Sequence, residues 1–249
     1  AKIGEGPLFL YNGLSFAAVL VGLLMMRLEP FRPPAAQDRA GQLREGIAYI
    51  ASDPRVRLLV LQLGLLCIFC LAYIPLLPAF ARDVLGGDAS TLGVLASANA
   101  SGALAAALMI AVLGERLPRI RLRTIALLCY SIFLAAFALS THLTLSLAMI
   151  AVVGWCGITA LTLSNTLLQM IVPDGLRGRV MAVYVLMIMG ISQLSGLLVA
   201  SLADLTGNVA ATVAGWTAAG WVLQLLLFLS QRHVLQEPAR IQDVPAPTS

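Results

Sequence analysis

Apolar runs of about 20 residues alternate along this chain with short polar connectors, and each run can cross roughly 30 Å of hydrocarbon as a helix. Seven such runs lie near residues 8–26, 57–81, 90–113, 123–141, 144–172, 180–203 and 209–230. The expected fold is all-α and integral to a membrane: seven transmembrane helices, one single helix followed by a group of six. Two segments break the rhythm. Residues 29–56 open with Glu29-Pro30-Phe31-Arg32-Pro33-Pro34, which regular helix excludes because proline removes donors and restricts its neighbour. An amphipathic stretch follows from Asp38 to Ser52, in which Leu43, Ile47 and Ile50 recur at spacings of four and three. That is the pattern of a surface helix at a membrane interface or against cytoplasmic helix ends. The tail from Gln236 is polar and proline-containing and reads as disordered.

Charge gives these runs a direction. Of the 16 Lys/Arg residues, 14 lie in the connectors 27–57, 114–123 and 173–179 and after residue 230. The opposite connectors carry only Lys2 and Arg82. Cationic loops stay on the cytoplasmic side during insertion, so the N-terminus is expected outside and the C-terminus inside. The expected location is the cell inner (plasma) membrane, multi-pass. Composition agrees: 59 % of residues are hydrophobic and 11 % charged, against about 25 % charged in soluble domains, and mean hydropathy is +0.91. The net charge of +4 does not indicate nucleic acid, because the arginines punctuate helix ends and form no continuous stripe.

All four cysteines, Cys67, Cys70, Cys129 and Cys156, fall inside expected spans. Cys67-Ile68-Phe69-Cys70 has the form of a redox pair but lacks a βαβ context, and reads as two small residues on a helix face. No cofactor and no metal site is expected. The chain begins at Ala1, and the charge after its first run, at Arg27 and Arg32, is the reverse of a signal peptide. The first helix therefore reads as one delivered by something upstream, and the chain as a fragment of a longer protein.

Several phrases carry a family resemblance. Leu43-Arg44-Glu45-Gly46-Ile47 and Ser52-Asp53-Pro54-Arg55 precede a span, and Pro78-Ala79-Phe80-Ala81-Arg82-Asp83-Val84-Leu85-Gly86 follows it. Later come Leu163-Ser164-Asn165-Thr166-Leu167-Leu168-Gln169 and Val172-Pro173-Asp174-Gly175-Leu176-Arg177-Gly178-Arg179-Val180. Over residues 8–231 the chain resembles the major facilitator superfamily, in the branch of enterobactin-exporter-like proteins and transmembrane secretion effectors. The resemblance implies a twelve-span transporter. Residues 1–28 would then be the last helix of a missing N-terminal bundle and 29–56 a cytoplasmic linker with its amphipathic helix. Residues 57–231 would be a C-terminal six-helix bundle of the major facilitator type, and 232–249 a cytoplasmic tail.

That family carries a Gly-x-x-x-Asp-Arg-x-Gly-Arg-Arg/Lys loop with a weaker repeat in its second half. Here the loop is Gly114-Glu115-Arg116-Leu117-Pro118-Arg119-Ile120-Arg121-Leu122-Arg123. Gly114, Arg119 and Arg123 match; Pro118 stands where the Asp would be and Arg121 where the second Gly would be. The loop is either a gating element or a turn held by positive charge. In the 173–179 loop, Pro173 stops one helix and Asp174 is placed to cap the next. Arg177 and Arg179 would face acidic groups or helix C-termini, as an inter-bundle latch or as topological charge.

The substrate path has candidates on several spans. Trp155, Thr159, Thr162, Thr166 and Gln169 fall on one side of the fifth span, within about an 80° arc. A polar stripe in a membrane avoids lipid and faces a neighbour or an aqueous cavity; in the resembled fold this helix lines the central cavity. The second span holds Phe69, Tyr73, Pro75 and Pro78, where two prolines bend the helix and could mark a gate. Gly93, Ser97, Ser101 and Ala105 recur every four residues, as do Ser192, Gly196, Ala200 and Asp204, and both rows read as close-packing faces. Asn99 and Gln193 lie off those rows and are secondary cavity candidates.

No carboxylate stands at the centre of a span, so a proton-coupling group would reside in the missing half. An enzyme would need a nucleophile with a base, or metal ligands, but His142 and His233 sit at opposite membrane faces and neither HExxH nor GxSxG occurs. The expected function is efflux of a small amphipathic or siderophore-like solute by alternating access. The expected partners are that small-molecule substrate, the lipid bilayer and the missing N-terminal bundle. A seven-span receptor-like or regulatory protein, or an inactive truncation product, is the alternative.

Overall fold

The computed structural model describes residues 5–25, 39–114 and 116–231. The proline segment 29–34, the tail from Gln236, Glu115, and the charges Arg27, Arg32, Arg232 and Arg240 lie outside them. The described residues are helical, with short turns and no strand. They divide into two compact units, before and after Arg39. The first contains α1, Glu5–Met25, within which Gly13–Met25 is a shorter apolar stretch. The second contains α2, Arg39–Ser52, so the amphipathic helix is part of the same unit as the spans.

Six helices in the second unit are long and apolar enough to cross a membrane: α3 (Pro54–Val84), α4 (Ala89–Leu113), α5 (Arg119–Leu139), α6 (Leu143–Ile171), α7 (Asp174–Thr206) and α8 (Val209–Gln231). Helices α3 and α7 outrun their expected spans of 57–81 and 180–203, because Asp53 and Pro54 start α3, Pro173 precedes α7 and Gly207 ends it, signals that hydropathy does not register. Asp53 accepts from the amides of Arg55 at 2.8 Å and Val56 at 3.3 Å, with Pro54 in the first turn. Asp88 forms a capping box with Thr91 at the start of α4. The Thr91 amide above all, helped by Ser90, holds the Asp88 carboxyl below its ordinary range. Gly207, with φ of 64°, ends α7 in the left-handed region that glycine enters without a Cβ clash.

Helix α6 packs along both α4 and α5, while α3 packs against α7 and α8, and α5 against α8. The α4–α6 contact is backbone-close. A Cβ at Gly102 would stand 1.8 Å from the Ala151 carbonyl oxygen, and one at Gly154 only 2.1 Å from that of Asn99. The row Gly93, Ser97, Ser101 and Ala105, expected to pack, is instead exposed, and Gly93 has nothing within 4 Å of a notional Cβ. Leu95, Gly102 and Ala106 face the bundle in its place. Spacing identifies a row of small residues, but a helix rich in Ala, Gly and Ser carries more than one. In α7 the expected row holds at Ser192 and Gly196, which are buried, while Asp204 is exposed.

Helix α3 is irregular. A π-helical turn at Leu66–Cys70 runs into a 3₁₀ turn at Leu71–Leu76 that contains Pro75. Proline has no N–H to donate, and π turns offset the helical ladder, so carbonyls become available to neighbours. The Ile68 carbonyl accepts from Trp216 Nε1 of α8 at 2.9 Å and from Ser195 Oγ of α7. Gly196 makes room for the Pro75 ring, and Gly220 for Phe69. The break in α3 is thereby filled by its two neighbours.

Candidate functional site

The strongest polar feature inside the bundle is Arg123, 1 % exposed one turn into α5. Its Nε donates to Ser164 Oγ at 2.7 Å, one terminal nitrogen to Gln62 Oε1 at 2.5 Å, and the other to the Leu59 carbonyl at 3.2 Å. Gln224 Nε2 of α8 then donates to the Gln62 carbonyl at 2.9 Å. Helices α3, α5, α6 and α8 thus meet in one buried network. The guanidinium charge has no carboxylate partner among the described residues; neutral oxygens alone hold it. Sequence reasoning placed Arg123 in a gating loop and did not single out Gln62, Ser164 or Gln224. Two glutamines within apolar runs were the available signal, since a buried amide needs a partner.

Arg119 links the start of α5 to Gly114 and to the end of α6. Arg119 donates from Nε to the Gly114 carbonyl at 3.4 Å and directs a terminal nitrogen to Met170 Sδ at 3.0 Å, at the end of α6. Residues 174–179, expected as a loop, form the first turns of α7. Arg177 pairs with Asp174 at 2.6 Å across the first turn of α7, and Arg179 pairs with Glu45 of α2 at 2.7 Å. Asp174 makes no cap, as α7 begins after Pro173 without a side-chain cap bond. Gly46 lies against the Arg179 backbone, where a Cβ would come within 3.1–3.2 Å. Replacing Gly46 with Leu should therefore lift α2 off α7, read as faster proteolysis within 39–52. Glu45→Gln should change stability by less than about 1 kcal/mol, because an exposed ion pair is worth little.

The five-residue stripe on α6 divides. Thr162 and Gln169 are exposed, and Thr166 and Trp155 are half-buried. Thr166 Oγ1 donates to the Thr162 carbonyl at 2.9 Å, and Gln169 Nε2 bonds Asn165 Oδ1. Thr159 is fully buried with an unpartnered hydroxyl, as is Thr217 of α8. Tyr184 Oη donates to the Leu161 carbonyl at 3.0 Å, which sets this part of α7 level with Thr162. At that level α7 carries a shallow apolar groove of about 710 Å³ lined by Met181, Ala182, Val185, Leu186, Met189 and Gly190. A second π turn, Met187–Ile191, forms part of it.

The other candidates are scattered. Tyr73 is 5 % exposed and accepts from Asn99 Nδ2 at 3.1 Å; the same amide donates to the Ile150 carbonyl at 3.2 Å. Tyr73 and Asn99 thus join α3, α4 and α6 inside the bundle. Phe69 packs on Trp216 with ring centroids 5.2 Å apart. Pro75, Pro78 and Gln193 are exposed. Cys67 and Cys70 are buried free thiols, with Cys70 Sγ 3.2 Å from Ser131 Oγ.

Among curated proteins none matches the chain. Comparison with protein families matches residues 1–245 to the transmembrane secretion effector family. The match spans nearly the whole chain, and the chain belongs to that family, a branch of the major facilitator superfamily of multi-pass membrane transporters.

Proposed function

We infer that the chain forms part of a secondary active efflux transporter that moves small amphipathic or siderophore-like solutes by alternating access. In this reading α1 is a seventh span preceding the six-helix bundle, and the membrane is the cell inner membrane. The N-terminus lies outside and the C-terminus in the cytoplasm. The bundle rocks against a second, N-terminal bundle, which closes the other wall of the pathway. The observation that carries the reading is the hydroxyl and amide row of α6, with Thr162 and Gln169 open on the bundle surface. Polar groups left open on a transmembrane helix face an aqueous path or a partner and avoid lipid. The apolar groove of α7 at the depth of Thr162 suits the apolar part of an amphipathic solute.

The test is efflux of an amphipathic dye from cells whose other exporters are deleted. Gln169→Ala is expected to slow efflux roughly fivefold, the loss of one hydrogen bond of about 1 kcal/mol. Thr162→Trp is expected to abolish it by filling the path. Membrane levels of both variants should match the parent. Unchanged efflux in both variants would remove the α6 row from the pathway.

A further inference from the structure

Helix α2 turns one side to the bundle and leaves another unused. The docked side carries Gly46 against the Arg179 backbone, Ile50 at 9 % exposure and the Glu45–Arg179 pair. Leu43 and Ile47, one turn apart on the adjoining edge, remain 37 % and 52 % exposed. Helix α2 packs on α3 and, through Gly46 and Glu45, on Arg179 near the start of α7, beside the beginnings of two helices long and apolar enough to cross a membrane, and its 14 residues run about 21 Å.

The charges beside that edge are cationic. Arg44 makes no ion pair among the described residues. Arg57 turns back to donate to the Ala51 carbonyl at 3.0 Å, which keeps its charge at the C-terminal end of α2. Arg55 stays 44 % exposed at 3.7 Å from Asp53. The one carboxylate on α2, Glu45, is held by Arg179. An occupant of this edge must be apolar where it meets Leu43 and Ile47 and anionic where it meets the arginines.

We propose that the Leu43–Ile47 edge of α2, with Arg44 and Arg57, is a docking surface for the headgroup layer of an anionic membrane. Aliphatic side chains of an in-plane helix enter the acyl boundary while its cations remain among the headgroups. Each arginine near an anionic surface strengthens the contact roughly fivefold. Because α2 is also clamped to α7, lipid composition acts on the helix that carries the apolar groove. The proposal does not depend on what the protein transports.

The experiment places an environment-sensitive fluorophore on Ile47→Cys, with Cys129 replaced by Ala and the other three cysteines buried. The protein, as the cell makes it, is reconstituted in phosphatidylcholine vesicles with and without phosphatidylglycerol. Quenchers on shallow acyl positions and aqueous iodide then compete for the label. The expected result is strong lipid quenching and weak iodide quenching when phosphatidylglycerol is present. Arg44→Gln with Arg57→Gln should raise several-fold the phosphatidylglycerol fraction needed for half-maximal quenching. Dominant iodide quenching would overturn the proposal. So would lipid quenching indifferent to phosphatidylglycerol, or shielding from both quenchers, which would put a protein surface on this edge.

Discussion

Gln62→Leu should destabilise the bundle more than the double variant Gln62→Leu with Arg123→Met. The single change removes the nearest acceptor of a guanidinium that is 1 % exposed and leaves a charge buried among fewer partners. A hydrogen bond to a charged group contributes roughly 1.5–3 kcal/mol, so the unfolding midpoint should fall by roughly 5–10 °C. The double variant removes the charge together with its acceptor and fills much of the volume with apolar atoms. Swapping a buried polar pair for hydrophobic residues is often neutral, so it should recover most of the loss. Arg123→Ala is the opposite extreme: it opens a cavity and leaves Gln62 Oε1 without its guanidinium donor, at roughly 3–5 kcal/mol. Thermal unfolding in detergent, read as the surviving monodisperse peak on size exclusion, compares all four proteins. A double variant no more stable than Gln62→Leu alone would show that the loss does not come from the charge left without its acceptor.

Gly102→Val and Gly154→Ala are expected to abolish accumulation of folded protein in the membrane. At both positions a Cβ would meet backbone of the opposite helix, at 1.8 Å and 2.1 Å, and backbone cannot rotate aside as a flexible side chain can. Relief requires α4 and α6 to separate along their crossing, which also breaks the Asn99 bond to the Ile150 carbonyl. Overpacking commonly costs about 1–3 kcal/mol, and more where no rotamer relieves it. Gly93→Ala is the matched control: it lies on the same helix with nothing within 4 Å and should accumulate like the parent. Membrane levels by immunoblot and detergent-resistant folding by size exclusion distinguish the three. Normal accumulation of Gly102→Val would mean that α4 and α6 do not approach through this face.

The two buried centres differ in how far they could be read from residues alone. Arg123 stood out because it matched a loop pattern, but the pattern pointed to a surface gate, whereas Gln62 and Ser164 draw the side chain inward. Those partners lie 61 and 41 residues away; no local spacing encodes them. The α6 stripe was legible as a face, yet burial divides it, with Thr159 inside and Thr162 and Gln169 outside. A helical arc specifies a direction, and only neighbouring helices decide which edge of that arc they cover. Arg179 likewise was visible as an interfacial cation, while its partner Glu45 depends on where α2 docks.

The sequence by itself determined that this protein lies in a membrane, that six of its helices occur where its apolar runs do, and that an amphipathic helix precedes them. Those properties follow from transfer of side chains out of water and from caps next to helix ends, and both are local. Tertiary structure alone decided which small residues let α4 and α6 touch, that the Ile68 carbonyl in the π turn of α3 would be taken by Trp216 and Ser195, and that Arg123 would be held by neutral oxygens. Each of those outcomes depends on side chains distant in sequence meeting in a medium without water, where every polar group left without a partner costs free energy.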